Sequence, residues 1–330
     1  MSKQQIFIIG TGRSGSTVLR RILGLHSNVY AYPNELRFIA DADGLCDLID
    51  RMSSDWNPFN ASLAIHRFKK LVLQGICQSR AYHRAKSSVA VRTGYTPCRY
   101  RSLRIDDILP EGHVKQVLST FIDRITLDEK AGRWYGSPSY TKMPALYVTE
   151  PVDRECIMQE AGQFVDNLLS YPLKSEEAAW CDDTPINVLY ARQIAEMLPT
   201  ARLIHIYRDP RDVVASYADQ QQLWAPNDFE ACAKWVVTIM HRWWKVQKRL
   251  PANQYIEVCY EDLVREQESY LRKVINFAGF EFEDGLMDIE LTDKSIGRYK
   301  QDIPSSKRQE IVSILQPVME EYDYALKGTR

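Results

Sequence analysis

The stretch Gly10–Thr17 combines residue types that bind an anion. It reads Gly-Thr-Gly-Arg-Ser-Gly-Ser-Thr and stands between a short apolar run, Ile6–Ile9, and a helical repeat that starts at Val18. A strand, a glycine-rich turn and a helix N-terminus together present backbone N–H groups and the positive end of a helix dipole. The sequence therefore predicts an anion-binding loop, with a purely structural turn as the alternative.

The spacing within this loop narrows the choice of anion. Two glycines with four residues between them, Gly10 and Gly15, are followed by Ser16 and Thr17 and match a phosphate-binding loop, except that Ser16 stands where such loops carry lysine. Arg13 supplies a cation from within the turn, and its planar guanidinium suits two oxygens at once. A kinase uses the lysine and Mg²⁺ to neutralise a triphosphate. A 5'-phosphosulfate carries less charge on its transferred group and fits a loop that has arginine and no metal.

A second apolar run ends in a charged turn near residue 208. Arg202–Tyr207 is predicted to be a buried strand, Asp209 suits a helix N-cap and Pro210 suits the first helical position. Arg208 therefore stands at the carboxyl end of a strand, where open parallel sheets bind ligands, and Ser216 follows two helical turns later. These two residues could hold a second phosphate. The alternative is a surface ion pair of Arg208 with Asp209 or Asp212.

The order of these motifs resembles that of sulfotransferases that use 3'-phosphoadenosine 5'-phosphosulfate (PAPS). Arg13–Thr17 matches the loop that binds the 5'-phosphosulfate in that family, and Arg208–Ser216 matches the segment that binds the 3'-phosphate. Three shorter matches occur in the expected order, namely Asp183–Asn187, Tyr260–Leu263 and Ser295–Lys300. The resemblance extends over residues 5–45 and 178–325.

The resemblance implies a fold and a donor site. The fold would be an α/β fold like that of P-loop NTPases, with a mostly parallel sheet flanked by helices on both faces. PAPS would be the co-substrate and adenosine 3',5'-bisphosphate the product, with no metal required. Arg13 would also be catalytic, by neutralising charge on the departing 5'-phosphate. The implied donor-binding residues are Arg13, Ser14, Gly15, Ser16, Thr17, Arg208, Ser216 and Arg298.

The general base is predicted from a shorter match. Asn34–Arg37 resembles the Glu-x-Arg motif of the tyrosylprotein enzymes, in which the glutamate is the base, so Glu35 is the implied catalytic base. Arginine at position 13 is likewise closer to the tyrosylprotein and carbohydrate branches than to the cytosolic phenol branch. His26 and Asp183 are the competing bases, and an exposed loop acid is the alternative reading of Glu35. Asp183 departs from the family, which often has lysine at that position.

The remaining sequence predicts the organisation of the enzyme. A chain of 330 residues with 45% hydrophobic residues can form one sulfotransferase domain. Residues 46–177 show no resemblance that we can place, and we expect them to form a mainly helical insertion that binds the acceptor. Within it, the basic stretch Arg92–Arg104 is an acceptor-recognition loop or a solvated connection. The acceptor would be a phenol, tyrosine, sugar or other alcohol that offers a hydroxyl group.

Composition argues against other partners and compartments. The net charge is −1 and charges of both signs are interspersed, which disfavours nucleic acid as a partner. There is no apolar run long enough to insert into a membrane. Seven cysteines without C-x-x-C spacing favour a cytoplasmic enzyme with free thiols, and the scattered histidines disfavour a zinc site. Two competing functions stay open at this point, a P-loop kinase of a small molecule or nucleotide and a non-catalytic nucleotide-binding protein.

Overall fold

The computed structural model describes residues 3–76, 108–132, 145–174, 177–219 and 228–324. The strands are β1 (Gln4–Ile9), β2 (Val29–Ala31), β3 (Asp128–Ala131), β4 (Ala145–Val148), β5 (Ala179–Asp182), β6 (Arg202–Tyr207) and β7 (Tyr255–Cys259). The α-helices are α1 (Ser16–Leu23), α2 (Leu45–Met52), α3 (Pro58–Ile76), α4 (Glu111–Ile125), α5 (Arg154–Leu169), α6 (Ala191–Met197), α7 (Pro210–Asp219), α8 (Phe229–Gln247), α9 (Tyr260–Arg265), α10 (Gln267–Ala278), α11 (Tyr299–Asp302) and α12 (Ser305–Glu321). Short 3₁₀ helices span Pro185–Tyr190, Asp284–Met287 and Asp293–Ser295.

The chain divides into two compact units. The sheet unit consists of residues 4–31, 176–195 and 200–330, and the helical unit consists of residues 1–3, 32–175 and 196–199. The stretch predicted as an acceptor-binding insertion falls almost wholly in the helical unit, and its role stays a prediction. Arg92–Arg104 lies outside the described residues. Within the described ranges, no helix has the length and apolar character needed to cross a bilayer.

The sheet unit contains five parallel strands in the order β2-β5-β1-β6-β7. β1 leads through α1 to β2 on one side of the sheet, whereas β6 leads through α7 and α8 to β7 on the other side. The direction of winding therefore reverses between β1 and β6, and ligands of open α/β sheets bind outside the carboxyl ends of the strands at such a point. The predicted fold class, a mostly parallel sheet with helices on both faces, is confirmed.

Successive side chains along each strand lie on opposite faces of the sheet, and both faces are buried. On one face, Ile8 and Ile204 pack with residues of α1, α9 and α10 in one apolar cluster. On the other face, the ring of His205 stacks on Trp243 of α8, with centroids 4.3 Å apart, and Tyr207 stacks on Tyr322 just beyond α12. Both faces of a parallel sheet must be covered, because each carries apolar side chains. The near-continuous apolar runs of β1 and β6 follow from this.

The helical unit packs around aromatic side chains. Phe164 of α5 lies at the centre, with its ring centroid 5.0 Å from that of Phe121 in α4, 5.7 Å from Phe68 in α3 and 6.2 Å from Phe38. Asp153 caps α5, because its carboxylate accepts the backbone N–H groups of the next turn. β3 and β4 add an antiparallel hairpin to this unit. The helical unit therefore has a core of its own.

Gly10 is predicted to be essential for stability, because it lies where β1 passes closest to β6. A Cβ atom at this position would meet the carbonyl oxygen of Ile206 at 2.4 Å. We expect Gly10→Ala to lower the free energy of unfolding by about 1–3 kcal/mol, the usual effect of overpacking. Gly112→Ala is the matched control, since nothing lies within 4 Å of its added methyl group. Denaturant unfolding of both variants checks this, and equal stabilities would contradict the close approach.

Candidate functional site

The loop between β1 and α1 has a backbone that turns repeatedly into the left-handed region. Gly12, Arg13 and Gly15 have φ angles of 76°, 58° and 96°. Glycine adopts such angles freely, but arginine in this region is uncommon and strained by about 1–3 kcal/mol. Such strain persists only where the surroundings fix the conformation, and it is typical of ligand-binding loops.

Hydrogen bonds within the loop and from α7 fix this conformation. The hydroxyl groups of Thr11 and Ser14 are 2.8 Å apart, and that of Ser14 also donates to the carbonyl oxygen of Gly12 at 3.1 Å. The hydroxyl of Tyr217 donates to the carbonyl of Thr11. A Cβ atom on Gly12 would lie 2.5 Å from that hydroxyl, so the position requires glycine. The Ser14 hydroxyl thus stabilises the loop, which leaves its backbone N–H as the group that could contact a ligand.

The helix that follows directs its positive end toward the loop. α1 begins at Ser16, and the N–H groups in the first turn of a helix have no partner within that helix. Ser16 is buried, whereas Thr17 is exposed. Gly15 packs against the ring of Tyr260, where an added Cβ atom would come within 2.5 Å. The loop and the helix start together form a concave set of N–H donors suited to phosphate or sulfate oxygens.

Three residues predicted from two separate motifs lie side by side. The Arg13 Nε donates to the hydroxyl of Ser216 in α7 at 3.0 Å, and Nη1 of Arg208 lies 3.4 Å from the carbonyl oxygen of Arg13. The carboxyl ends of β1 and β6 therefore present two guanidinium groups within one small region. This is the arrangement that a ligand with two anionic groups requires.

The guanidinium of Arg208 contacts several neighbouring residues, and its Nε is the nitrogen that could bind a ligand. Its side chain is 6% exposed, its Nη2 lies 3.4 Å from Asp212 and also donates to the carbonyl of Ser295, and its guanidinium lies 5.0 Å from the ring centre of Tyr260. Among the residues that the structure describes, the buried Nε of Arg208 finds no hydrogen-bond partner. A buried donor without a partner is destabilising unless something else satisfies it. An anion bound at this place would do so.

Asp212 ties the segment around Arg298 to α7. Its carboxylate accepts the backbone N–H of Gly297 at 2.7 Å and that of Tyr299 at 2.9 Å. Burial raises the pKa of Asp212, while these two N–H groups and Arg208 act in the opposite direction. Arg298, the residue between the two N–H donors, pairs with Asp302 at 2.5 Å. The predicted residues Arg208 and Arg298 are thus joined through Asp212.

A further carboxylate supports the turn after β6. Glu261 accepts the backbone N–H of Asp209 at 2.9 Å and the hydroxyl of Tyr324 at 2.8 Å. Asp209 in turn accepts the N–H of Arg211, as expected of a helix N-cap. Tyr217, Tyr260 and Glu261 are site-supporting residues that sequence reasoning missed. The matched motif Tyr260–Leu263 was the signal that could have identified Tyr260 and Glu261. Asp212 was expected as an ion-pair partner of Arg208 on the surface, and the structure places that pair in the interior.

Asp183 lies beside α1, at the carboxyl end of β5. Its carboxylate pairs with Nε of Arg20 at 3.1 Å, and both side chains are almost buried. Burial raises the pKa of Asp183, while Arg20 and the hydroxyl of Thr17 counteract this. The negative charge that replaces the expected lysine is therefore balanced by Arg20, and Asp183 stays close to the loop as a competing base.

His26 is engaged elsewhere. Its Nε2 lies 2.8 Å from the carbonyl of Glu281 and its Nδ1 accepts the N–H of Asn28 at 3.1 Å, so both ring nitrogens are used. His26 follows the C-terminus of α1, about 12 Å of helix away from the loop at the other end. Both observations argue against His26 as the base.

Glu35 belongs to the helical unit. Its carboxylate pairs with Nη1 of Arg37 at 3.0 Å, and 38% of its side chain is exposed. Arg37 has a φ of 31° and also pairs with Asp41 at 3.0 Å, so the guanidinium is fixed by two carboxylates. Glu35 is thus an accessible carboxylate held in one orientation. Its role as base stays a prediction.

The described acidic side chains near the loop do not cluster as metal ligands do. In the parts of the chain that the structure describes, no three His, Cys, Asp or Glu side chains come together as a metal site. Three acids near the loop are paired with arginine, namely Asp183 with Arg20, Asp209 with Arg211 and Asp212 with Arg208.

Comparison with known proteins agrees with this geometry. Residues 5–101 and 108–284 match the model of the sulfotransferase family. The sulfotransferase domain of the Synechococcus PCC 7002 olefin synthase is 14% identical, with 96% of this chain and 94% of that one covered and a TM-score of 0.50. A sulfotransferase from Alicyclobacillus acidocaldarius is 13% identical, with 96% and 93% covered and a TM-score of 0.44.

One curated relative is also similar in sequence. It is an uncharacterised protein from Aquifex aeolicus (strain VF5), 26% identical over 189 residues, which are 51% of this chain and 24% of that protein. The match thus spans about a quarter of the relative's length. The likeness to the Synechococcus domain shows the fold, and the family match covers well over half of the chain. The chain belongs to the sulfotransferase family.

Proposed function

We propose that this sulfotransferase takes the sulfuryl group from PAPS and transfers it to a hydroxyl group of the acceptor. The observation that carries the proposal is the meeting of Arg13, Ser216 and Arg208 at the carboxyl ends of β1 and β6. Two guanidinium groups and a helix N-terminus in one region suit a nucleotide with anionic groups at both its 5' and 3' positions.

The chain's own features fit such a nucleotide. The loop of left-handed residues and the start of α1 offer N–H donors for a 5'-phosphosulfate. Arg208, with its unsatisfied buried Nε, and Arg298 offer positive charge for a 3'-phosphate. Ser16 in place of the P-loop lysine makes ATP a poor fit, because a triphosphate would lack its usual cation. The family match agrees with this donor.

PAPS, when bound, supplies the sulfuryl group, whose bond to the 5'-phosphate oxygen breaks as the acceptor oxygen bonds to sulfur. Arg13 and the N–H groups of residues 14–17 hold positive charge where negative charge develops on the departing oxygen. The hydroxyls of Ser16 and Thr17 add hydrogen bonds. Glu35 takes the proton of the acceptor hydroxyl, which leaves the acceptor oxygen free to react.

The acceptor is a hydroxyl compound, and we propose a phenol or a sugar as the first classes to test. The resemblance of Asn34–Arg37 to the tyrosylprotein motif supports this choice. The helical unit, with its separate aromatic core, is the proposed acceptor-binding part. A cytoplasmic location remains a prediction from the cysteine pattern.

Replacement of Arg208 tests the donor assignment. We expect Arg208→Ala to weaken binding of adenosine 3',5'-bisphosphate by about 10–100-fold, since a hydrogen bond to a charged group contributes about 1.5–3 kcal/mol. Isothermal titration calorimetry measures this loss. Arg272→Ala is the control, because Arg272 is exposed and contacts Glu268 and the ring of Phe282 rather than the residues of the loop. Unaltered affinity in Arg208→Ala would overturn the assignment of Arg208.

The choice between donors is tested on the unmodified enzyme. We expect tight binding of the bisphosphate in the presence of EDTA and weak binding of ATP with or without Mg²⁺. Sulfuryl transfer from PAPS to a panel of phenols and sugars should continue in EDTA. Mg²⁺-dependent transfer from ATP would instead identify a kinase, and bisphosphate binding without transfer to any acceptor would identify a non-catalytic nucleotide-binding protein.

A further inference from the structure

Asp212 stands out because its buried carboxylate joins parts of the chain that are far apart in sequence. Its side chain is 0% exposed. It accepts two backbone N–H groups from residues 85 and 87 positions later and lies 3.4 Å from Nη2 of Arg208. We call Arg208, Asp212, Ser295, Gly297 and Tyr299 the Asp212 cluster. No catalytic step uses Asp212, so its burial needs another explanation.

The cluster is closed by a second link to the same segment. The guanidinium of Arg208 donates to the carbonyl of Ser295, two residues before Gly297. The hydroxyl of Ser295 is 3.2 Å from that of Tyr260, whose ring also lies against Arg208 and Gly15. Residues 295–299 are therefore fixed to the end of β6, to α7 and to the anion-binding loop.

The geometry points to Asp212 as a positioning residue for binding of the nucleotide's 3'-phosphate. It fixes the direction of Arg208 and holds the backbone on both sides of Arg298, so that the two arginines are presented together. This inference rests on the proposed donor. It assigns to Asp212 no contact with the nucleotide, since a carboxylate would repel a phosphate.

The physical reason for a carboxylate is the number of acceptor sites. A carboxylate has two oxygens, and here each accepts one backbone N–H while the charge also balances Arg208. An asparagine of the same shape has one oxygen and one NH₂ group, so one of the two N–H groups would face another donor. A buried N–H without a partner is destabilising, and the segment would be released on that side.

The test compares two nucleotides that differ in the 3'-phosphate. Calorimetry with adenosine 3',5'-bisphosphate and with adenosine 5'-monophosphate is carried out on the full chain and on Asp212→Asn. We expect the variant to bind the bisphosphate about 10–100-fold more weakly, as for the loss of a charge-assisted contact, and to bind the monophosphate as the unmodified chain does. A general loosening of the site would weaken binding of both nucleotides and would overturn the proposal.

Asp209→Asn is the matched control. It removes the same charge from the same turn, but the Asp209 side chain accepts no backbone N–H of residues 295–299 in the described structure and reaches them only through Arg211, whose guanidinium lies 4.3 Å from the ring centre of Tyr299. We expect its bisphosphate affinity to stay within about twofold of the original, a difference of about 0.4 kcal/mol. If Asp209→Asn lost as much bisphosphate affinity as Asp212→Asn, the charge alone would matter and the proposal would fail. Unchanged bisphosphate affinity in Asp212→Asn would also overturn the proposal.

A measurement on the unmodified chain covers the case in which Asp212→Asn does not fold. Hydrogen exchange of the amides of Gly297 and Tyr299 should slow further on binding the bisphosphate and not on binding the monophosphate. Equal exchange with both nucleotides would overturn the role of this segment. If the unmodified chain bound both nucleotides equally, the proposal that PAPS is the donor would be overturned. That outcome differs from one in which only the role of Asp212 is overturned.

Discussion

Replacing Arg13 by alanine is expected to reduce the turnover number by about 10³-fold at saturating donor. Removing a preorganised donor from the place where charge develops in a transition state typically lowers turnover by 10²–10³-fold, and arginines that neutralise a transferred phosphoryl group contribute 10³–10⁵-fold. Arg13 supplies full charge from a loop held rigid by Tyr217, so it is already oriented before reaction. The measurement is the rate of bisphosphate formation from PAPS with a phenol or sugar acceptor.

Backbone strain at position 13 must be separated from loss of the guanidinium. Arg13 has a φ of 58°, which alanine tolerates poorly and glycine tolerates well. Arg13→Gly therefore removes the same side chain while relieving strain, and we expect a similar loss of turnover. Arg21→Ala, an exposed arginine on α1, is the control for charge and should react normally. Full activity in Arg13→Gly would remove this arginine from the mechanism.

Glu35→Gln is expected to lower the turnover number by about 10²–10⁴-fold, the usual contribution of a general base. Glutamine keeps the shape and can still accept a hydrogen bond from Arg37, but it cannot take up a proton. Affinity for the bisphosphate should be unchanged, because Glu35 is proposed to act on the acceptor. Initial rates at saturating donor and calorimetry with the bisphosphate separate the two effects.

Asp183→Asn is the companion variant that decides between the two carboxylates. If Glu35 is the base, Asp183→Asn should lower turnover far less than Glu35→Gln, although it leaves the buried Arg20 without a charged partner and reduces stability. The opposite order of rates would transfer the role of base to Asp183. Equal, near-normal rates in both variants would show that neither carboxylate removes the proton.

The fold was predictable wherever the signals are local. Apolar runs that stop at glycine or at Asp-Pro marked β1 and β6, and the helix after β6 begins at Pro210, as the capping residues indicated. The helix after β1 begins at Ser16, two residues before the predicted start at Val18. The order of strands was not predictable from these signals. β5 pairs with β1 although 169 residues separate the end of one from the start of the other, and nothing in either short run specifies that neighbour.

The sequence identified candidate anion-binding residues but not the network of contacts around them. Arg13 was suggested by one motif and Arg208 with Ser216 by another, and the structure brings the three together. The supporting residues act through contacts between distant segments, as when Asp212 holds Gly297. The type of such a residue carries no indication of its partner. The placement of Ser14 inside the loop was likewise invisible, because a hydroxyl in a glycine-rich turn suits either direction.

The position of the helical unit in the chain has an evolutionary consequence. The polypeptide leaves the sheet after β2 and re-enters it at β5, and these two strands are direct neighbours. Changes between those points leave the register of β1 with β6 untouched. Selection could therefore remodel the helical unit, which is proposed to recognise the acceptor, without rebuilding the proposed nucleotide-binding edge of the sheet. One ancestral sheet unit could in this way serve enzymes that act on many different acceptors.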